Sequence, residues 1–386
     1  MLFHPASTRC KSVLTLVIIV CWPLLTSCSK NIIGSLKGDQ WVLEKIASGN
    51  QIGLHSSITT TSDGAVIIGY HDALNNQLHI AERQDPENWT TTQIDSVGWH
   101  GENVYLYRSP SDSLFIFYRD SHLGRMRYAI QQYNLWESHY LSPVESLGDV
   151  VRIINRPDGL YLTELDRDRG KINLWRFSGS SWQNLSYASS GATGTNLRLG
   201  FGCAETPAGI EIAYTHLTLS PGGGNRLVTG YTVAVRTYDV SANSWSMPAL
   251  IADQDIRKFR NEIRKLSPVA AQLFIDPSGT RHVIYRDHDS HLLDTATGII
   301  EQKADNKHLA LCVDGNGAIW LTYAVSQGLS LARWTEASGW EKVGRIHNVN
   351  LEGQWGICID ADGKPLVSFF CARRKGLWFG RWEGTP

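Results

Sequence analysis

The sequence predicts an all-β protein: a seven-bladed β-propeller of four-stranded antiparallel blades, closed by an N-terminal strand that completes the last blade. A recurring tryptophan, a recurring strand–turn–strand unit and a final repeat that is one strand short all lead there. Tryptophans follow turn-like stretches at Trp41, Trp89, Trp136, Trp182, Trp245 and Trp340. The first three intervals are 48, 47 and 46 residues, and the last is about two periods long, with the expected tryptophan missing near Gly298. Fixed periods of this size mark repeat architectures.

Each repeat holds an apolar second strand after a tight turn. The strands are Val66–Tyr70, Leu114–Tyr118, Leu160–Glu164, Ile210–Tyr214, Arg281–Tyr285, Ile319–Tyr323 and Pro365–Phe369. The turns before them include Ser62-Asp63-Gly64, Pro157-Asp158-Gly159, Pro277-Ser278-Gly279 and Ala361-Asp362-Gly363. Glycine supplies positive φ and Asp or Ser supplies side-chain bonds to the backbone, which is hairpin chemistry. Third strands follow, as in Leu78–Ala81, Met126–Ala129, Leu329–Ala332 and Leu377–Gly380. Short strands in even repetition make a propeller. After Trp340 three strands remain, whereas Trp41–Ile46 is a fourth-type strand with nothing before it, so the chain ends should clasp.

The N-terminus reads as an export signal. Arg9 and Lys11 precede an apolar run, Val13 to Leu25, too short to span a bilayer. Leu25-Thr26-Ser27-Cys28 then resembles a bacterial lipobox, which implies a signal peptide over 1–27 and a lipidated Cys28. Residues 28–40 read as a tether and 41–386 as the propeller domain. Ser29 stands where an inner-membrane lipoprotein carries a retention aspartate, so the resemblance points to the outer membrane, on its periplasmic or surface face.

The composition narrows the function. With 19% charged residues and 42% hydrophobic, the chain is neither disordered nor of low complexity. A net charge of −1 gives no general polyanion-binding surface and argues against nucleic acid as the partner. Cys203, Cys312, Cys358 and Cys371 have no metal-ligand spacing and read as small buried hydrophobes. His288-Asp289-Ser290-His291 offers two histidines, too few for a closed metal site, so no metal and no cofactor is expected.

In a propeller the loops between blades share one face, the top, with the turns between second and third strands. Two insertions fall there, Thr215 to Gly230 and Asp253 to Leu266. Nine histidines of the exported chain are assigned to top-side strand ends or loops: His55, His71, His100, His122, His216, His288, His291, His308 and His347. Loops on a rigid scaffold commonly carry binding. The candidate ligand-binding set is therefore His55, His71, Trp99, His216, Arg226, Arg257, Arg260, His288, His291 and Trp355, the two tryptophans to stack on sugar rings. The recurring Tyr70-His71-Asp72, Tyr118-Arg119-Asp120 and Tyr285-Arg286-Asp287 reads as structural, because a scaffold residue is needed once per blade.

The repeats over 41–386 resemble bacterial propellers of the sialidase-like, BNR-like superfamily, which includes ulvan-type polysaccharide lyases. No turn here fits the sialidase Asp box, Ser/Thr-x-Asp-x-Gly followed by an aromatic, in full. The lyases place one histidine at the start of an inner strand and another at the end of the next strand. His100, in Gly98-Trp99-His100-Gly101, and His122, in Arg119-Asp120-Ser121-His122, resemble that placement, as do His55 and His71 one blade earlier. The expectation is a membrane-anchored monomer whose top face binds a glycan or an envelope protein. The alternative is a lyase or hydrolase acting on an acidic polysaccharide, with His100 or His122 as general base and the arginines of 257–265 neutralising the uronate.

Overall fold

The computed structural model describes residues 40–384 apart from 84–87, 96–99, 121, 133–134, 142–147, 167–168, 190–200, 220–227 and 256–270. Cys28 and the expected signal and tether, together with Trp99, Arg226, Arg257 and Arg260, lie outside the described residues, and of His100 only the backbone is described.

The strands are β1 (Trp41–Ser48), β2 (Ile52–Thr60), β3 (Val66–Asp72), β4 (Gln77–Arg83), β5 (Thr90–Asp95), β6 (His100–Arg108), β7 (Leu114–Asp120), β8 (Arg125–Gln132), β9 (Leu135–Tyr140), β10 (Gly148–Arg156), β11 (Gly159–Asp166), β12 (Lys171–Phe177) and β13 (Trp182–Ser189). They continue as β14 (Phe201–Thr206), β15 (Gly209–Leu219), β16 (Val228–Asp239), β17 (Ser244–Trp245), β18 (Ala249–Asp255), β19 (Gln272–Ile275), β20 (Arg281–Arg286), β21 (Leu292–Asp294) and β22 (Gly298–Glu301). The chain closes with β23 (Ala304–Val313), β24 (Ile319–Val325), β25 (Gly328–Thr335), β26 (Gly339–His347), β27 (Leu351–Ile359), β28 (Pro365–Cys371) and β29 (Gly376–Trp382). Among the described residues the one helical element is a 3-10 turn, Ala372–Arg374.

The fold is an all-β propeller, but it has five blades and not the expected seven. Five blades stand as separate sheets: β6–β9, β10–β13, β14–β18, β19–β22 and β23–β26. Each has four strand positions; in β14–β18 the outermost is shared by β17 and β18, which both pair with β16. The strands expected to form the first and last blades run as one eight-stranded sheet, in the order β1-β29-β28-β27-β2-β3-β4-β5. The join is a single parallel pair, His55 on β2 opposite Gln354 on β27. Glycine is the physical reason. Gly353 has φ of +71°, and any Cβ there would overlap the Leu54 carbonyl oxygen, while a Cβ at Gly356 would crowd the Ile58 backbone. Two backbones that close can bond, and repeat spacing carries no such information.

The first strands of the blades line the ring. β2 lies against β6, β6 against β10, β10 against β14, β14 against β19, β23 against β27 and β27 against β2. Gln272 on β19 completes the circle by donating to the Leu309 carbonyl on β23 at 3.5 Å. The chain ends clasp: β1 pairs antiparallel with β29, from Trp41 opposite Trp382 to Ser48 opposite Gly376. The repeated tryptophan joins neighbouring sheets or blades. The Trp182 ring meets Phe117 at 5.7 Å, Trp340 meets Phe274 at 6.1 Å, and Trp89 meets Phe379 at 5.3 Å. Large rings bury much apolar area in one residue, which suits a contact needed once per repeat.

Both insertions begin later than expected. β15 runs on to Leu219 and β16 starts at Val228, while β18 extends to Asp255. Three of the nine histidines assigned to strand ends or loops sit within strands instead: His55 in β2, His216 in β15 and His308 in β23. The apolar runs continue past the points where turn residues would end them.

A candidate functional site on the ring axis

Side chains of the innermost strands make contacts between neighbouring sheets of the ring. Arg152 on β10 lies over the ring of Tyr105 on β6, its guanidinium carbon 5.3 Å from the centroid. Its Nη1 donates to the Val151 carbonyl at 2.9 Å. His308 on β23 turns its edge to Trp355 on β27, with centroids 5.2 Å apart and planes at 90°. Trp355 is 1% exposed, and its Nε1 donates to Thr322 Oγ1 at 3.1 Å. Gln354 beside it donates from Nε2 to the Val104 carbonyl on β6 at 2.9 Å, tying β27 across to a second inner strand.

The electrostatics join residues from widely separated strands. His308 keeps partial contact with solvent but is walled in by the strands around it. Burial drives its imidazole down to about 3, and the positive charges of Arg152 and His55 push the same way, against a backbone hydrogen bond at Trp355. Arg152 on β10 and His55 on β2 thus act electrostatically on His308 of β23. Arg152 also acts on Cys203 of β14, whose thiol burial raises to about 11 against the pull of the arginine. This thiol stays protonated at neutral pH. The four described cysteines are unpaired.

These residues offer one permanent cation in Arg152, a phenol in Tyr105, and the imidazoles of His55 and His308, the second held uncharged. A guanidinium suits carboxylate or sulfate through paired N–H donors. A neutral imidazole can accept a proton.

The sequence-predicted residues do not all gather here. His55 does. Trp355 borders the cluster as a core residue, so its expected role as an open stacking platform is corrected: its indole is enclosed by the apolar cluster of β24, β25, β27 and β28. His71 is 6% exposed within β3. His122 stands exposed on the turn after β7, its backbone N–H donating to Asp120 Oδ1 at 3.1 Å. His216 lies opposite Thr232, and Thr232 lies opposite Asp253, so the edges of the two insertions form one ladder. Burial lowers the His216 imidazole against the Asp253 carboxylate. His288 and His291 pair with the carboxylates beside them, Asp289 at 3.2 Å and Asp287 at 2.8 Å. The donor atoms of Asp287, Asp289 and His291 lie within 4.8 Å of one another. His122, His216 and the His288–His291 turn belong to three different blades.

The Tyr-x-Asp repeat is a turn device. Asp72 Oδ1 accepts from the N–H groups of Leu74 and Asn75, Asp120 Oδ1 from His122 and Leu123, and Asp287 Oδ1 from Asp289 and His291. Sequence reasoning missed Tyr105, Arg152 and His308 as a set. The available signal was polarity inside apolar strands, as in Val150-Val151-Arg152-Ile153-Ile154.

By sequence, the chain matches no protein-family profile and no curated protein. By structure it is similar to the polysaccharide lyase Uly1, at 10% identity and a TM-score of 0.53, over 84% of this chain and 89% of that one. It is also similar to the fucose-specific lectin from Aleuria aurantia, at 12% identity and a TM-score of 0.47, over 78% of this chain and 98% of that one. For the lectin SapL1 the values are 13% and 0.46, over 78% and 99%. The likeness to Uly1 is a likeness of fold, and what the two chains share is the β-propeller.

Proposed function

We propose that the protein binds an acidic glycan at the axial cluster, with Arg152 taking the carboxylate or sulfate group and Tyr105 and the imidazoles contacting the sugar. The observation that carries this reading is the Arg152 guanidinium lying over the Tyr105 ring between two inner strands, with its electrostatic influence on His308 in support. The propeller would act as a monomer, held to the outer membrane through lipidated Cys28. The top-side residues His71, His122, His216, His288 and His291, with Trp99, Arg226, Arg257 and Arg260, would form the approach to the axis. An envelope protein bearing an acidic glycan would reach the same face.

A second reading is cleavage of the acidic glycan, with Arg152 neutralising the uronate carboxylate. In a β-elimination the base takes the proton from C5 of the uronate while Arg152 holds the carboxylate. The C4–O bond breaks, a C4=C5 double bond forms, and the departing oxygen takes up a proton. On this reading the base is His100 or His122, because the burial that holds the His308 imidazole down at about 3 makes it a poor proton acceptor. The fold shared with a polysaccharide lyase is consistent with such chemistry.

The test is incubation with a panel of uronate-containing, sulfated and neutral polysaccharides. Binding is read by titration and cleavage by the ultraviolet absorbance of unsaturated uronate. Binding of acidic members, weakened at least tenfold by Arg152→Ala, supports the first reading. Absorbance that grows with wild type and is lost with His100→Gln or His122→Gln supports the second. No preference for acidic over neutral members would overturn both.

A further inference from the structure

On the face opposite the β7–β8 turn, a cleft of about 660 Å³ opens between the β6–β9 and β10–β13 blades. That volume is within the roughly 300–1,000 Å³ of small-molecule sites. Its floor is apolar, from Phe115 and Ile130 on one blade and Leu160 and Phe177 on the other. Phe115 and Phe177 meet edge to face at 5.6 Å, so the floor bridges the two blades.

The walls carry neutral polar groups. Ser109 and Ser111 bond to each other at 2.9 Å, and Ser109 Oγ accepts the Ser113 N–H at 3.0 Å, which fixes the serine turn. The side-chain amides of Gln131, Gln132 and Asn155 also line the cleft and make no hydrogen bond among the described residues. None of the described lining residues is ionisable. The charges just outside are paired within their own turns, Arg108 with Asp112 at 2.9 Å and Arg156 with Asp158 at 3.0 Å.

Three carboxamides that make no hydrogen bond among the described residues, above an aromatic floor with no ionisable described lining residue, match a molecule with many hydroxyls, apolar C–H faces and no ionised group. Amides both donate and accept, as sugar hydroxyls do. Aromatic faces and edges pack against the C–H side of a sugar ring. We infer that this cleft is a second binding site, for a neutral saccharide of one or two rings, separate from the axial cluster and independent of its proposed function.

The test uses maltose, cellobiose, lactose and N,N′-diacetylchitobiose as neutral probes and digalacturonate as the acidic one. Saturation-transfer NMR and calorimetric titration are run on the wild type, Asn155→Ala, Ser111→Trp and Arg152→Ala. At least one neutral disaccharide should bind. Its affinity should fall at least tenfold with Asn155→Ala or with the cleft-filling Ser111→Trp and stay unchanged with Arg152→Ala. Digalacturonate should not compete for this site. Thermal unfolding checks that each variant is folded, and Asn155→Ala, an exposed position, keeps the test alive if Ser111→Trp misfolds. Failure of all four neutral probes to bind at millimolar concentration would overturn the inference. Binding that survives both cleft substitutions, or is lost with Arg152→Ala, would overturn it as well. Loss of acidic-glycan binding in Arg152→Ala bears on the axial site alone.

Discussion

The imidazole of His308 meets the indole of Trp355 edge to face, 5.2 Å between centroids and perpendicular. The indole comes from one inner strand and the imidazole from its neighbour, and burial holds the imidazole uncharged.

That burial has a pH signature. The folded-state pKa of His308, about 3, is below its ordinary value of 6.5, so the unfolded chain binds the extra proton between those limits. The stabilisation is present above pH 6.5 and is lost as pH falls toward 3. His308→Gln should therefore lose less stability than wild type across that window, read as urea midpoints at each pH. Parallel curves for the two proteins would refute the assignment.

His282 should behave in the opposite sense. Burial disfavours its charge, but Asp294 at 2.7 Å and Asp276 at 3.4 Å outweigh burial and raise its pKa above 6.5. Its contribution is complete below 6.5 and is lost as pH rises through the raised value. The stability of wild type should fall on that alkaline side by more than that of His282→Gln. An equal slope in both would show that the pair contributes nothing to the pH dependence.

The clasp concentrates stability at the chain ends. Trp382 is 4% exposed and packs against Trp41 at 5.4 Å. Trp382→Ala should cost about 3–5 kcal/mol, measured by chemical denaturation. Trp41→Ala and Trp382→Ala together should cost less than their sum, because each removes the same contact. Additive losses would mean that the two rings act separately.

Asp120 tests the turn role of the Tyr-x-Asp repeat. It is 2% exposed and accepts N–H bonds from His122 at 3.1 Å and Leu123 at 3.0 Å. Asp120→Ala should destabilise by about 1–3 kcal/mol, with Asp120→Asn restoring part of the loss. Full stability in the alanine variant would remove the structural reading.

Cys28→Ser tests the anchor. The variant should move from the membrane fraction to the soluble one and carry no acyl mass. Unchanged fractionation with no acyl mass on the wild type would exclude lipid attachment at this residue.

The strand order, the turns and the clasp were legible because their causes are local. A hairpin needs Asp-Gly or Pro-Ser-Gly within a few residues, as at Pro277-Ser278-Gly279, and a strand needs a short apolar run. The pairing of Trp41 with Trp382 followed from counting strands at the two chain ends. The tryptophan period is visible because Trp89, Trp182 and Trp340 each pack on a ring from a neighbouring repeat.

Which blades stay apart, and which residues share a site, were set by distances between parts of the chain far apart in sequence. Gly353 decides that β27 comes close enough to bond β2, since a side chain there would strike the Leu54 carbonyl. His55, Arg152 and His308 lie on three different strands far apart in sequence, and it is the closed ring that lets the first two act on the third. Their chemistry was visible as residue types, but a histidine read as a loop residue gave no sign of the arginine it would face. A hydrophobic period specifies the neighbours along a strand and says nothing of what stands across the ring, because axial proximity arises from closure and not from any local preference.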